Sequence, residues 1–264
     1  MLKNARVISL HNKEIIENFL RKNTDLNIYQ IGDLDDFFWD STLWLGLEIN
    51  DKLEELILIY ISPDLPVLLN FSNDYEKLEC LIKKASYYLP NKFYSHLSPE
   101  VDNIFTNYKK QFNGKHLKMS LKYPDKLDNI DISDVNLINK NEVDSLNYFY
   151  NKSYPENWFD FRMLETNQYF GIKEKDSFIS VAGIHVYSEK YQVASLGNIT
   201  TLHEYRGKGL AKKVTAKLCS SLIEKGIKNI GLNVLASNIN AIKCYSNLGF
   251  EIIAEYNEIL FEKN

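Results

Sequence analysis

The chain has 264 residues, 45% of them hydrophobic and 25% charged, and a formal net charge of −4 at pH 7. That content is enough for the packed core of one large domain or two modest ones, and basic residues dispersed through an acidic total leave no electrostatic footprint for a nucleic-acid partner. The longest apolar stretches, residues 56–61 and 66–69, are strand-sized where a bilayer span needs roughly 20, and the opening residues hold neither a continuous apolar run nor a small-residue cleavage site, so we expect no membrane partner and a cytoplasmic location.

In the first half, periodicity predicts a helix over residues 13–21, strands at 43–49, 56–61 and 66–70, a helix at 75–88, a short strand at 92–96, a helix at 99–109 and a strand at 117–122. The run YPDKLDNIDIS at 123–133 is polar, contains a proline and has neither periodicity. It divides the chain into a domain at 1–123, a linker at 124–133 and a domain at 134–264.

The second half opens with a strand near 135–138, a helix at 142–151 and an aromatic, proline-containing stretch at 154–161. Strands follow at 169–173, 178–187 and 192–201, the last two joined by SEKY as a hairpin turn. A helix at 208–225 carries Leu210, Val214, Leu218 and Leu222 on one stripe, with Gly226 at its C′ position. Ile230, Leu232 and Val234 alternate as a strand, Asn238 can cap a short helix bearing Ala241, Ile242, Tyr245 and Leu248, and Gly249 ends that helix before strands at 250–255 and 258–261. The order is α/β. Cys80, Cys219 and Cys244 are odd in number and far apart, which fits buried thiols in a reducing compartment. The five histidines are scattered without ligand spacing, so no metal is expected.

One segment carries chemistry. Tyr205-Arg206-Gly207-Lys208-Gly209-Leu210-Ala211 follows a strand and opens the long helix. Two glycines let the backbone turn tightly and approach a ligand, and the unpaired N–H groups of a helix's first turn point outward with the positive end of the dipole behind them. A pyrophosphate there would be held by the amides of Gly207 through Ala211, with Arg206 and Lys208 adding charge at its edge. The spacing is neither that of a Walker loop nor the dinucleotide G-x-G-x-x-G.

Arg206-x-x-Gly209-x-Ala211 resembles the R/Q-x-x-G-x-G/A signature of the GNAT N-acetyltransferases, and Asn238-x-x-Ala241-x-x-x-Tyr245-x-x-x-Gly249-Phe250 resembles the family's second element. The resemblance covers residues 135–261. It implies a GNAT fold, a mixed and mostly antiparallel central sheet flanked by helices, and acetyl-CoA as co-substrate. It implies that Arg206, Gly207, Lys208, Gly209, Leu210 and Ala211 bind the pyrophosphate, that Ile199, Thr200 and Thr201 lie along the pantetheine arm, and that Asn238 is near the cofactor. Tyr245 and Asn198 are the catalytic positions it implies, Tyr245 protonating the departing thiolate after direct attack by an amine. The strand position where relatives often carry a glutamate is Gly197 here, beside Asn198. For the base, His185, Glu165 and Glu189 remain as candidates.

The first half repeats the strand–helix order but has Phe71-Ser72-Asn73-Asp74 where the signature would stand, and its acidic residue would repel a phosphate. A second, GNAT-like N-terminal lobe without a CoA loop is therefore expected. The leading expectation is an acetyltransferase acting on a primary amine of a small molecule or peptide, as a monomer or homodimer. Alternatives are a longer-chain acyl-CoA or amino-acid N-acyltransferase, as in two-lobed relatives resembling glycine acyltransferases, and a non-catalytic acyl-CoA sensor. Aminoacyl transfer from tRNA is disfavoured by the loop and the negative charge.

Overall fold

The structure is a computed structural model that describes residues 2–61, 65–72 and 74–264. The chain forms two compact units, one comprising Met1–Lys118, Leu235–Ser237 and Ala254–Asn264, the other Met119–Val234 and Asn238–Ile253. The segment expected as a linker lies within the second unit, where Pro124–Leu127 makes a 3-10 turn and Leu127 is buried.

The first unit begins with β1 (Ala5–Ser9), α1 (Lys13–Leu20), α2 (Ile28–Gly32) and α3 (Asp36–Trp39). It continues through β2 (Thr42–Ile49), β3 (Lys52–Tyr60), β4 (Val67–Asn70), α4 (Tyr75–Lys84), β5 (Lys92–Leu97) and the start of β6 (Tyr108–Leu121). β1 to β4 pair antiparallel in chain order, and β4 pairs parallel with β5 across the α4 crossover. The core sits between this sheet and α4, with Leu47, Ile57, Leu68, Leu78, Leu81 and Phe93 all fully buried.

The helix expected at residues 99–109 does not form. Val101–Ile104 is a single 3-10 turn entered through Glu100 at φ 70, and Tyr108 already starts β6. Val101, Ile104 and Phe105 have helical spacing because one turn suffices to put all three into the core. The two strands expected at the C-terminus are one, β12 (Phe250–Lys263), and its residues 257–262 pair antiparallel with β5 in the first unit. β1, α2 and α3 add to what periodicity marked.

The second unit contains β7 (Asn136–Leu137), α5 (Val143–Ser153), β8 (Phe170–Glu174), β9 (Ser177–Ser188) and β10 (Val193–Thr201). It goes on through α6 (Leu210–Glu224), β11 (Asn229–Leu235) and α7 (Ile239–Asn247) to the first residues of β12. Its strand order is β11-β10-β9-β8-β7, antiparallel except for the parallel β10–β11 pair across α6. α6 lies on β8, β9 and β10 and buries Val214, Leu218 and Leu222 completely. The sense and order of these five strands repeat those of β1 to β5, including a helix between the two parallel strands.

Candidate active site

The site starts where two parallel strands part. β10 and β11 are in register from Val193–Asn229 to Leu196–Leu232, and that pairing stops one residue before Gly197. On its other side β10 slips register against β9 between Gly197 and Thr200, and Asn198 takes a left-handed φ of 53°. A non-glycine residue there needs support from its surroundings. Tyr150 supplies it from α5, donating its hydroxyl to the Asn198 carbonyl at 2.9 Å. The Asn198 side chain donates to the Tyr169 hydroxyl at 3.1 Å, and Tyr169 in turn donates to the Ile184 carbonyl at 2.9 Å. Asn198 is therefore buried with its side chain turned inward, where it supports the bulge. Ile199 and Thr200 are half-buried beside it, while Thr201 is buried with its hydroxyl 2.8 Å from that of Ser180.

Beyond Thr201 the chain makes a 3-10 turn at His203–Tyr205 and reaches the glycine loop. Gly207 (φ 77°) and Gly209 (φ 79°) are both left-handed, and a Cβ on either would meet nothing within 4 Å among the described residues. Both properties matter: the backbone conformation favours glycine, and the space around it is open to a ligand. α6 begins at Leu210, two residues later than periodicity placed it, with Gly209 as its N-cap and no side-chain hydrogen bond closing its first turn. The amides of Leu210 and Ala211 thus stand at the positive end of a 15-residue helix without a carboxylate or hydroxyl cap among the described residues. Arg206 is anchored to the preceding strand, its Nε donating to the Thr201 carbonyl at 3.1 Å. The Lys208 ammonium lies 4.8 Å from the Tyr205 ring centre.

Tyr245 comes from α7. Asn238 opens that helix by accepting the Ala241 amide at 3.2 Å, so its side chain is committed to capping. Gly249 closes it at φ 101°, and a Cβ there would overlap the Tyr123 carbonyl oxygen. Tyr245 is 8% exposed and packs edge-on against Phe250. Burial pushes its phenol well up, and Cys244, Tyr154 and Cys219 push in the same direction. It holds its proton at neutral pH, the form a general acid requires. Tyr154, the residue after α5, is among the groups whose charge Tyr245 feels.

Two of the three base candidates are engaged elsewhere. Glu165 is exposed and pairs with Lys140 at 3.6 Å. Glu189 sits in the turn before β10, where it is held by the Tyr187 hydroxyl and by Lys225 at the end of α6. His185 is different, because a Cβ on Gly197 would overlap its imidazole. The pairing partner of Gly197 is Gly183, and a Cβ there would overlap the Tyr169 ring. Tyr150, Tyr169 and the His185–Gly197 contact were not singled out from sequence. Glycines inside strands are the signal that could have found the contact, since they mark places where another group approaches the backbone.

Residues 136–250 match the model of the Acetyltransferase (GNAT) family. No curated protein matches the sequence. Among solved structures, a GNAT-family acetyltransferase from Colwellia psychrerythraea is similar over 98% of this chain and 100% of its own, at 16% identity and a TM-score of 0.60. A Drosophila protein is similar over 97% and 98%, at 11% identity and a TM-score of 0.68. A tandem GNAT protein from the clavulanic acid biosynthesis pathway is similar over 98% of both chains, at 10% identity and a TM-score of 0.56. At these identities the likeness establishes fold. The segment that matches the family model, residues 136–250, is the one that holds the parted β10 and β11 and the uncapped glycine entry to α6.

Proposed function

We propose that this chain transfers an acetyl group from acetyl-CoA to a primary amine of a small molecule or peptide. The observation that carries the reading is the entry to α6, where two left-handed glycines with open space above them precede a helix N-terminus that no described side chain caps. The amides of Gly207 through Ala211 would hold the pyrophosphate, and Arg206 and Lys208 would add positive charge. The half-buried strand Ile199–Thr200 would lie along the pantetheine arm, and Thr201, which is buried, would set the end of that strand. The bulge at Asn198 would present backbone N–H to the thioester carbonyl. Tyr245, kept protonated by burial, would give its proton to the leaving thiolate. Asn238 would act indirectly, by fixing the start of the helix that carries Tyr245.

We infer in addition that the first unit is a GNAT-like copy without a CoA site. The repeated strand order supports this, as does the carboxylate of Asp74, which caps α4 where a phosphate would have to sit. Asn73 of the corresponding loop lies outside the described residues.

Calorimetry with CoA, followed by thiol release from acetyl-, butyryl- and longer acyl-CoA donors against benzylamine, tyramine, spermidine and a lysine-containing peptide, tests the reading. Acetyl-CoA turnover with at least one amine is the expected result. A preference for a long donor would make the chain a longer-chain acyltransferase, CoA binding without turnover would make it a sensor, and no CoA binding would remove the reading altogether.

A further inference from the structure

Acyl transfer to an ammonium substrate needs a group that accepts a proton, and the strand position where a carboxylate would be sought is a glycine. The structure shows what that glycine is for. Gly197 and Gly183 face each other across β10 and β9, and in an antiparallel pair two opposed residues direct their side chains to the same face. That face is not empty. The volume a Gly183 side chain would fill is taken by the ring of Tyr169, and the volume a Gly197 side chain would fill is taken by the imidazole of His185. Either glycine replaced by a larger residue would displace a ring.

The place matters as much as the fit. Gly197 is the first residue of β10 beyond its register with β11, and it immediately precedes the left-handed Asn198. An imidazole over Gly197 therefore stands at the mouth of the fork, next to the backbone that the reading above assigns to the thioester carbonyl. The backbone beside it is fixed by hydrogen bonds. The Tyr169 hydroxyl is locked between the Ile184 carbonyl and the Asn198 amide, and the Asn198 carbonyl is locked by Tyr150. Of these two phenols, burial and then the neighbouring Tyr169 keep that of Tyr150 protonated, and the Tyr169 hydroxyl is engaged as a donor to the Ile184 carbonyl. His185 itself is half-buried. The unprotonated nitrogen of a neutral imidazole is an acceptor that can take up a proton and pass it on.

We propose that His185 is the general base of the acetyl transfer, occupying from β9 the space that a side chain at position 197 of β10 would otherwise fill. This rests on the acyl-transfer reading. The proton balance is closed. His185 takes one proton from the substrate ammonium, directly or through a water, and the neutral amine forms a C–N bond to the thioester carbonyl. The C–S bond then breaks, the thiolate sulfur takes the Tyr245 proton, and the second proton lost by the nitrogen restores Tyr245 through solvent. One proton is released in total, from the imidazolium.

The test compares the wild-type chain, His185→Gln, His185→Ala and the double variant His185→Ala with Gly197→Glu, using acetyl-CoA and the fastest amine of the panel. His185→Gln is expected to lower kcat/KM by about 10²-fold with CoA affinity unchanged by calorimetry. The acid limb of the wild-type pH–rate profile should disappear with it. Added imidazole should restore part of the rate of His185→Ala, as should the carboxylate of the double variant, which enters the vacated volume. These two chains keep the proposal testable if the glutamine variant folds poorly. Wild-type turnover that His185→Gln retains with its acid limb would overturn this assignment alone. A rate lost equally at every pH, with no rescue by imidazole or by the carboxylate that Gly197→Glu introduces, would overturn it too, by making the ring a packing element. A wild-type chain that binds CoA and acetylates no amine would overturn both this and the reading it rests on.

Discussion

The two strand-to-helix connections of this molecule, one after β4 and one after β10, have the same topology and opposite electrostatics. Both leave a strand, cross over through a helix and return to a parallel neighbour. At the start of α4 the chain supplies its own anion: Asp74 accepts the Lys77 amide at 3.1 Å and pairs with the Lys77 ammonium. At the start of α6 the described residues supply none, and two glycines keep side chains out of the way. The helix dipole is present in both, so the dipole alone does not make a phosphate site. What decides is whether the local sequence leaves the first turn's donors for something outside the chain.

The interiors differ in a parallel way. The first unit buries ionisable groups. Lys118 is brought down to about 7 by burial, against the pull of Glu258, and its ammonium lies 3.8 Å from the Phe71 ring centre. Asp33 is raised to about 8 by burial. Burial would raise Glu258 too, but His96, His116 and the hydroxyls of Tyr94 and Tyr256 together hold it below the usual carboxylate range. In the second unit the buried groups with shifted titration are phenols and thiols, such as Tyr150, Tyr245 and Cys219. The first unit should therefore control how stability responds to pH, and the second how activity does.

Four substitutions would break or sharpen this contrast. The largest effect is expected from Gly209→Val, which strains a left-handed position and fills the open space above it. Backbone strain of about 1–3 kcal/mol and the loss of one or two charge-assisted hydrogen bonds of about 1.5–3 kcal/mol each correspond to roughly a 10³-fold weaker CoA affinity, read by calorimetry. If affinity is unchanged, the α6 entry is not the phosphate site. Tyr245→Phe comes next, with kcat lower by about 10²-fold and CoA affinity preserved; full activity across pH would remove the general-acid role.

Asp33→Asn acts on stability. The folded chain keeps a proton on Asp33 between the ordinary carboxyl value of 3.8 and about 8, where the unfolded chain has lost it, so this group makes stability fall as pH rises through that window. The variant should lose that slope, which for one proton is at most about 1.4 kcal/mol per pH unit. Lys118 acts with the opposite sign at higher pH. Between about 7 and the ordinary lysine value of 10.5 the unfolded chain holds the extra proton, and stability rises with pH. Denaturant melts from pH 4 to pH 9 would separate the two. A wild-type curve already flat between pH 4 and pH 8 would contradict the buried Asp33. The smallest effect belongs to Asp74→Ala, which should cost about 1 kcal/mol of stability and confer no CoA binding. A gain of binding at the exposed α4 terminus would mean that the carboxylate alone had kept the two connections apart.

Sequence by itself determined what depends on residues close together in the chain. The stripe on α6, its Gly226 terminus, the Asn238 cap and the glycine pair ahead of Leu210 each depend on residues no more than about four positions apart, so their spacing records the geometry directly. The same locality placed Tyr245 on its short helix, because Asn238 caps the start of that helix. Tertiary structure alone decided the rest. Val101, Ile104 and Phe105 have a helix's spacing and form one turn, since the core they enter is shaped by β5 and β12. The continuity of β12, which pairs with a strand about 160 residues earlier, has no local signature. His185 and Gly197 meet because a register slip brings them together across two strands. Alternation along a strand records which face a residue takes, but the group standing opposite it is set by pairing, and pairing is settled only when the whole sheet is assembled.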